Sequence, residues 1–214
     1  VLCGAGLAVS GAAFQSIFSN ALATPDTLGV AAGSSFGAAL ALLLGMGLIT
    51  VQVSALAVGF VAVLMTYIIS RQKSGASTVM VILSGMVIAS LFEAGISIIK
   101  FIADTESQLP AITYWLMGSL ANTSFSSLAL GAPFIIAGIA VIFALRWKLN
   151  VLMLSEDEAK TMGVNIRMMR VIVALAATMI TASCVSMCGQ VGWVGLLVPH
   201  VCRLLFGNSH ARLL

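Results

Sequence analysis

Residues 27–70 read TLGVAAGSSFGAALALLLGMGLITVQVSALAVGFVAVLMTYIIS, a run of 44 residues without a charged side chain. A helix needs about 20 apolar residues to cross the hydrocarbon core of a bilayer. The run is therefore long enough for two membrane-spanning helices. A break near Gly45-Met46-Gly47, or alternatively near Thr50-Val51-Gln52, would separate them.

The composition of the whole chain agrees with this run. Of the 214 residues, 60% are hydrophobic and 8% are charged, and the mean hydropathy is +1.13. Soluble domains carry about 25% charged residues, and disordered chains combine low hydrophobicity with high charge, so both classes are excluded. No basic run or aromatic-interleaved patch indicates nucleic-acid binding. The long continuous apolar runs favour membrane-spanning helices over alternating strands.

The charge-free runs predict an all-α, polytopic transmembrane helix bundle formed by residues 1–214 as a single domain. A stretch around Pro110 and Trp115 is expected to lie at the membrane interface. Six spans are predicted, at about 2–18, 28–48, 52–70, 78–99, 126–145 and 168–188. One short return helix is predicted after them, at about 193–206.

The basic residues predict the orientation, because Lys and Arg in short loops favour the cytoplasmic side. If Arg71 and Lys73 lie inside, only Lys100 of the ten Lys and Arg residues falls outside. The first span then runs inward, and an earlier span must have carried the chain out. Val1 is not Met, and no basic segment precedes the first apolar run, so this run is not a signal peptide. We therefore expect an internal fragment of a longer membrane protein.

Glu93 is the one carboxylate predicted to lie within a span. Intramembrane carboxylates are functional candidates, since a charge in the bilayer is costly. The plainer interpretations are that Glu93 reaches the outer interface or pairs with Lys100. An ion-coupled secondary transporter is the alternative function, but such proteins usually bury several acidic residues along their path.

The cysteines and histidines do not form a metal-binding pattern. Cys184 and Cys188 share one helix face, as a soft metal pair would, but no second Cys or His pair follows at a metal-ligand spacing. Packing as small hydrophobic side chains is the simpler interpretation. His200 follows Pro199 and is expected at a helix end. No metal site and no cofactor are predicted.

Residues 150–170 form the most polar segment on the predicted cytoplasmic side. Ser155 followed by Glu156 and Glu158 is typical of a helix N-cap with acids in the first turn, and Gly163 is typical of a helix end. A short helix is predicted there. It is either an ordinary capped loop helix or a docking element for a soluble partner.

A first motif lies in residues 15–33, QSIFSNALATPDTLGVAAG. It resembles the pattern Q-x4-N-P-L-A-x-P-x2-L-G-x3-G of permease subunits from ATP-binding-cassette importers for ferric siderophores, haem and cobalamin. Gln15, Asn20, Pro25 and Gly29 match this pattern. Ala21 departs from it, because the family usually has proline there.

A second motif lies in residues 189–200, GQVGWVGLLVPH. It is similar to the family signature G-x2-G-[FW]-[VI]-G-L-x2-P-H, with matches that include Gly192, Pro199 and His200. The segment WLMGSL at 115–120 and the pattern E-x2-A-x3-G at 156–163 also match. The resemblance therefore covers essentially the whole chain in the family's order.

The resemblance implies a type II importer permease with ten spans, of which this chain would be spans two to seven and the start of the eighth. It implies a multi-pass protein of the bacterial inner (cytoplasmic) membrane, surrounded by lipid and paired with a second permease subunit. Separate ATPase subunits would hydrolyse ATP, since the chain has no G-x4-G-K-[ST] phosphate loop. An extracytoplasmic binding protein would deliver an iron-siderophore, haem or cobalamin type chelate.

The resemblance also implies roles for particular residues. Glu156, Glu158, Ala159 and Gly163, within residues 150–170, fall in the cytoplasmic helices that dock on the ATPase. Ser77 and Thr78, at the inner start of the fourth predicted span, match the inner-gate region. The permease itself would catalyse nothing and hold no cofactor.

Overall fold

The computed structural model describes residues 1–70, 78–121, 124–152, 162 and 165–207. Every regular element in these residues is helical, which confirms the predicted fold class. The helices are α1 (Leu2–Ile17), α2 (Val30–Leu43), α3 (Leu48–Ser70), α4 (Thr78–Ile102), α5 (Gln108–Met117), α6 (Phe125–Ala144), α7 (Arg146–Val151), α8 (Ile166–Cys188) and α9 (Val194–Phe206).

A helix lies at each of the six predicted spans, but the helices differ in length. Four of them, α3, α4, α6 and α8, are long and apolar enough to cross a membrane. The helices α1 and α2 have 16 and 14 residues, fewer than a straight spanning helix needs. The prediction for α2 began too early, because Pro25–Leu28 forms a 3₁₀ turn and Gly29 takes the left-handed conformation before the helix begins.

The break between α2 and α3 lies at the first of the two predicted places. The helix α2 ends at Leu43, and Gly45 has a φ of +67°, which glycine adopts without steric cost. The alternative break at Thr50 is wrong, since this residue lies inside α3.

The helix α5 lies where the sequence indicated an interfacial stretch. Ser107, the residue just before α5, is held by Asp104, whose carboxylate accepts hydrogen bonds from the backbone N–H and the hydroxyl of Ser107 at 2.8 and 2.6 Å. The side-chain amide of Gln108 donates to the carbonyl of Leu43 at 2.9 Å. These bonds tie the start of α5 to the end of α2.

The chain forms two compact units. The first unit consists of residues 1–25, 134–180 and 192–214, and the second consists of residues 26–133 and 181–191. In the second unit α2 packs on α3 through small residues: a Cβ added to Gly33 would contact the Val58 carbonyl at 3.0 Å, and the Ser54 hydroxyl donates to the Gly37 carbonyl at 2.8 Å. Such close approach of small residues is how helices pack in lipid.

Candidate functional site

The first motif forms the turn that follows α1. Asn20 closes this turn, because its side-chain oxygen accepts a hydrogen bond from the Leu22 N–H at 2.9 Å and its own N–H donates to the Gln15 carbonyl at 3.1 Å. Asparagine side chains commonly bond the backbone two residues ahead in this way. The turn therefore closes although Ala21 replaces the family's usual proline.

Gly29, the last matched residue of this motif, lies against α4 in the second unit. Its φ is +76°, and an added Cβ would lie 3.3 Å from the Ala89 nitrogen and the Gly85 carbonyl oxygen. The preceding Leu28 is fully buried, and its carbonyl accepts a hydrogen bond from the Thr66 hydroxyl at 3.0 Å. The positive φ therefore strongly favours glycine at position 29, and the close approach of α4 favours it further.

The second motif forms the start of α9 and packs on α1 in the first unit. A Cβ added to Gly11 would collide with the backbone of Gly195. A Cβ added to Gly195 would lie 3.2 Å from the Leu7 carbonyl oxygen and 3.2 Å from the ring of Pro25. The first and second motifs therefore contact each other directly, through Pro25 and Gly195.

Pro199 accounts for part of this contact. It lies buried inside α9, and it has no N–H to donate to the carbonyl of Gly195 four residues earlier. That carbonyl oxygen is the atom that lies against Gly11. Because of this proline, the Gly195 carbonyl lacks its usual intrahelical hydrogen bond. It lies where α9 approaches α1 closely.

His200 lies in the interior of α9 and is exposed. The expectation that it marks a helix end was wrong, because α9 begins at Val194, directly after the N-cap Trp193 with its φ of +68°, and continues through Pro199. A proline within the first two turns removes only one hydrogen bond, so the helix can continue past it.

Gln15, a residue of the first motif, joins α1 to α9 through Arg203, which the sequence reasoning did not identify as a site residue. Its side-chain oxygen accepts a hydrogen bond from a guanidinium nitrogen of Arg203, and Gln15 is only 2% exposed. The amide nitrogen of Gln15 has no hydrogen-bond partner among the described residues. The available signal was the single Arg in an otherwise apolar helix, because such a charge needs a partner.

Two glycines of the second motif differ in what surrounds them. Gly189 has a φ of +69°, and a Cβ there would meet the Trp115 carbonyl and the backbone of Gly118. Next to it, the Ser119 N–H donates a hydrogen bond to the Cys188 carbonyl at 2.7 Å. The segment 115–120 therefore packs on the end of α8 within the second unit. Gly192 has nothing within 4 Å of an added Cβ, so packing does not explain a glycine there.

Several predicted site residues lie outside the described residues. These are the coupling residues Glu156, Glu158, Ala159 and Gly163 and the gate residue Ser77. Thr78 is the first residue of α4, and its side chain is also outside the described part. Their roles stay predictions.

The described residues contain no group of three or more His, Cys, Asp or Glu side chains placed to hold a metal ion. Cys184 and Cys188, which share one face of α8, are buried and form no disulfide.

The geometry thus defines a polytopic helical membrane protein whose motif residues serve close helix packing and tight turns. The chain belongs to the FecCD transport family, which it matches over residues 1–214. It is a multi-pass protein of the cytoplasmic (inner) membrane, and four helices of the described residues are long and apolar enough to span it.

Among curated relatives, the chain is 40% identical to the molybdate import system permease of Haemophilus influenzae over 215 residues, covering 100% of this chain and 64% of that protein. It is 34% identical to the cobalamin import system permease of Halobacterium salinarum, and the match covers 99% of this chain and 57% of that protein. It is 30% identical to the hemin transport system permease of Yersinia pestis, and the match covers 100% of this chain and 65% of that protein. The chain thus spans less than two thirds of each of these relatives.

A solved structure shares the same architecture. It is described as an inward-facing conformation of a metal-chelate type ABC transporter and is 38% identical to this chain, with a TM-score of 0.94. The match covers 99% of this chain and 68% of that one.

Proposed function

We propose that the full-length protein is the membrane-spanning permease subunit of an ATP-driven importer for a small metal-containing compound. The observation that carries this proposal is the structural match, with its TM-score of 0.94 over 99% of this chain. The family match over residues 1–214 supports the same class of protein.

The cargo that we propose is an iron-siderophore, haem or cobalamin type chelate, or a metal oxoanion. Relatives named for cobalamin and hemin support the chelates. The relative named for molybdate adds the oxoanion, which the sequence motifs alone did not indicate. All of these cargoes contain a metal and cross the membrane without chemical change.

The permease subunit is proposed to be non-catalytic, with ATP bound and hydrolysed by separate ATPase subunits. The residues 156–163 support this, because their pattern matches the segment by which the family docks on its ATPase. A short rigid helix there would transmit closure of the ATPases to the spans. The remaining proposed partners are an extracytoplasmic binding protein and a second permease subunit.

Ser77 and Thr78 are proposed to narrow the inner end of the path. The support is their position in the sequence, since Thr78 begins α4 and follows Arg71 and Lys73 within a few residues. Short hydroxyl side chains can constrict a path without binding the cargo tightly, and cargo release requires such weak contact.

Co-purification and ATP hydrolysis test this function. The full-length protein is co-expressed with its neighbouring ATPase and purified in detergent, and hydrolysis is measured with and without loaded binding protein. We expect a stable complex whose hydrolysis rises when the binding protein carries the cargo. Failure to associate with any ATPase would favour the ion-coupled alternative.

A further inference from the structure

The helix α4 exposes two chemically different faces. One is apolar and suits contact with lipid; it carries Leu83, Val87, Leu91 and Ile98. The other side exposes Val79 and Met86 in its first half and is polar in its second half, where Ser90, Glu93 and Ser97 precede the half-buried Lys100. These polar residues follow one another at spacings of three and four, which places them on one side of the helix.

Glu93 and Lys100 do not pair with each other. They lie two helical turns apart, about 10 Å along the helix axis. Both belong to the described residues, and neither takes part in an ion pair there. An unpaired charge in hydrocarbon is costly, and such residues face a water-filled cavity or a polar partner instead. The polar face of α4 is therefore not a lipid-facing surface.

A cavity of about 400 Å³ opens at this face within the second unit. Its polar lining consists of Glu93, Ser97 and Lys100 from α4, Thr113 from α5, and Gln190 just after α8. This volume lies in the range of sites that bind organic molecules, about 300–1,000 Å³. It is several times larger than a four-oxygen oxoanion.

The polar groups give the two ends of the cavity opposite preferences. The Lys100 ammonium can only donate hydrogen bonds, and the Glu93 carboxylate can only accept them. The Ser97 hydroxyl already donates to the Glu93 carbonyl at 3.0 Å, so toward the cavity it offers only an acceptor. The Lys100 end therefore suits an anionic group, and the Glu93 end suits a cationic or N–H group.

We propose that this cavity binds an organic metal chelate that carries an anionic group and, about 10 Å away, a cationic or N–H donor group. Lys100 contacts the anionic group and Glu93 contacts the donor group, while Thr113 and Gln190 form hydrogen bonds with the middle of the ligand. This inference rests on the proposed function and narrows its cargo, since a bare oxoanion could engage one end only.

Two iron chelates with the same trihydroxamate core test the charge pattern. Linear ferrioxamine G ends in a free ammonium and a carboxylate, whereas in cyclic ferrioxamine E these two groups are joined as a neutral amide. Binding of each radioiron chelate is measured on the full-length protein with its ATPase subunits in lipid nanodiscs. We expect ferrioxamine G to bind about ten-fold more tightly than ferrioxamine E.

Charge-removing variants assign this preference to the two residues. Lys100→Gln and Glu93→Gln should each reduce the preference for ferrioxamine G over ferrioxamine E, because each removes one of the two charge contacts. The matched controls are Lys148→Gln on α7 and Glu106→Gln in the loop before α5, both exposed and outside the cavity lining. The controls should keep the ten-fold preference.

Several results would overturn the inference. Equal binding of the two chelates, no binding of either, or variants that behave like the controls would each do so. Competition by molybdate that Lys100→Gln abolishes would assign the site to a bare oxoanion instead. If the variants broke the permease dimer on a sizing column, the two charges would belong to a subunit contact. Loss of ATPase association in the unmodified protein would count against the proposed function, not this site.

Discussion

Gly11 has no room for a side chain, because a Cβ there would meet the backbone of Gly195. Gly11→Ala should therefore push α9 away from α1 and lower the free energy of unfolding by about 1–3 kcal/mol, as overpacking typically does. Thermal unfolding of the purified full-length protein measures this. Gly4→Ala is the control on the same helix, since nothing lies within 4 Å of a Cβ there. Equal unfolding temperatures for the two variants would contradict the packing argument.

Gln15 and Arg203 should be energetically coupled, because the guanidinium of Arg203 donates to the Gln15 side chain in a site that is largely closed to solvent. Gln15→Leu or Arg203→Met alone leaves one polar group without its partner, and the double variant removes both. We expect a coupling free energy of about 1 kcal/mol in a double-mutant cycle of unfolding. Strictly additive effects would show that the bond does not stabilise the α1–α9 contact.

Asp104 should stabilise the start of α5 only while it is ionised. Hydrogen bonds from Ser107 hold the pKa of this carboxyl below its ordinary value of 3.8. A lowered pKa in the folded state means that the stabilisation is complete above pH 3.8 and is lost as the pH falls through the lower folded pKa. The protection factors of the amides in the first turn of α5, which correct for the pH dependence of intrinsic exchange, should fall over that acidic range, and Asp104→Asn should show a weaker pH dependence.

The segment 150–170, which the sequence predicts to be cytoplasmic, is the element through which ATP hydrolysis is proposed to act. Reversing two charges with Glu156→Lys and Glu158→Lys should uncouple hydrolysis from uptake and leave membrane insertion intact. The measurement is uptake per ATP hydrolysed in proteoliposomes. Glu106→Lys, on the loop predicted to lie on the opposite side, is the control and should change neither rate. Normal uptake in the double variant would show that this segment does not couple the ATPase.

The sequence predicted some helices better than others, and the difference depends on whether a helix is long enough to cross the lipid bilayer. Lipid requires long, mostly apolar helices, so α3, α4, α6 and α8 could be located from the long apolar runs that form most of each helix. The ten-residue helix α5 was missed, because Pro110 and Trp115 are typical of an interfacial loop. Yet proline is tolerated in the first turn of a helix, where the N–H groups have no intrahelical partner.

The packing of the motifs could not be predicted, because it depends on contacts between residues far apart in the chain. Gln15 and Arg203 are separated by 188 residues, and no local pattern indicates that they meet. The same holds for Pro25 and Gly195. At the proposed cargo site, the sequence indicated Glu93 as a candidate, but Thr113 and Gln190 join it only once α5 and the end of α8 are in place.

On the scale of the whole molecule, the central claim is that ATP drives transport through a path formed by this permease. The direct measurement is uptake of radioiron-labelled chelate into proteoliposomes that hold the full-length permease with its ATPase and enclose ATP. Loaded binding protein is supplied outside. We predict accumulation that requires enclosed ATP, stops with enclosed ADP and is unaffected by a protonophore. Accumulation without ATP that follows an imposed proton or sodium gradient would contradict the account.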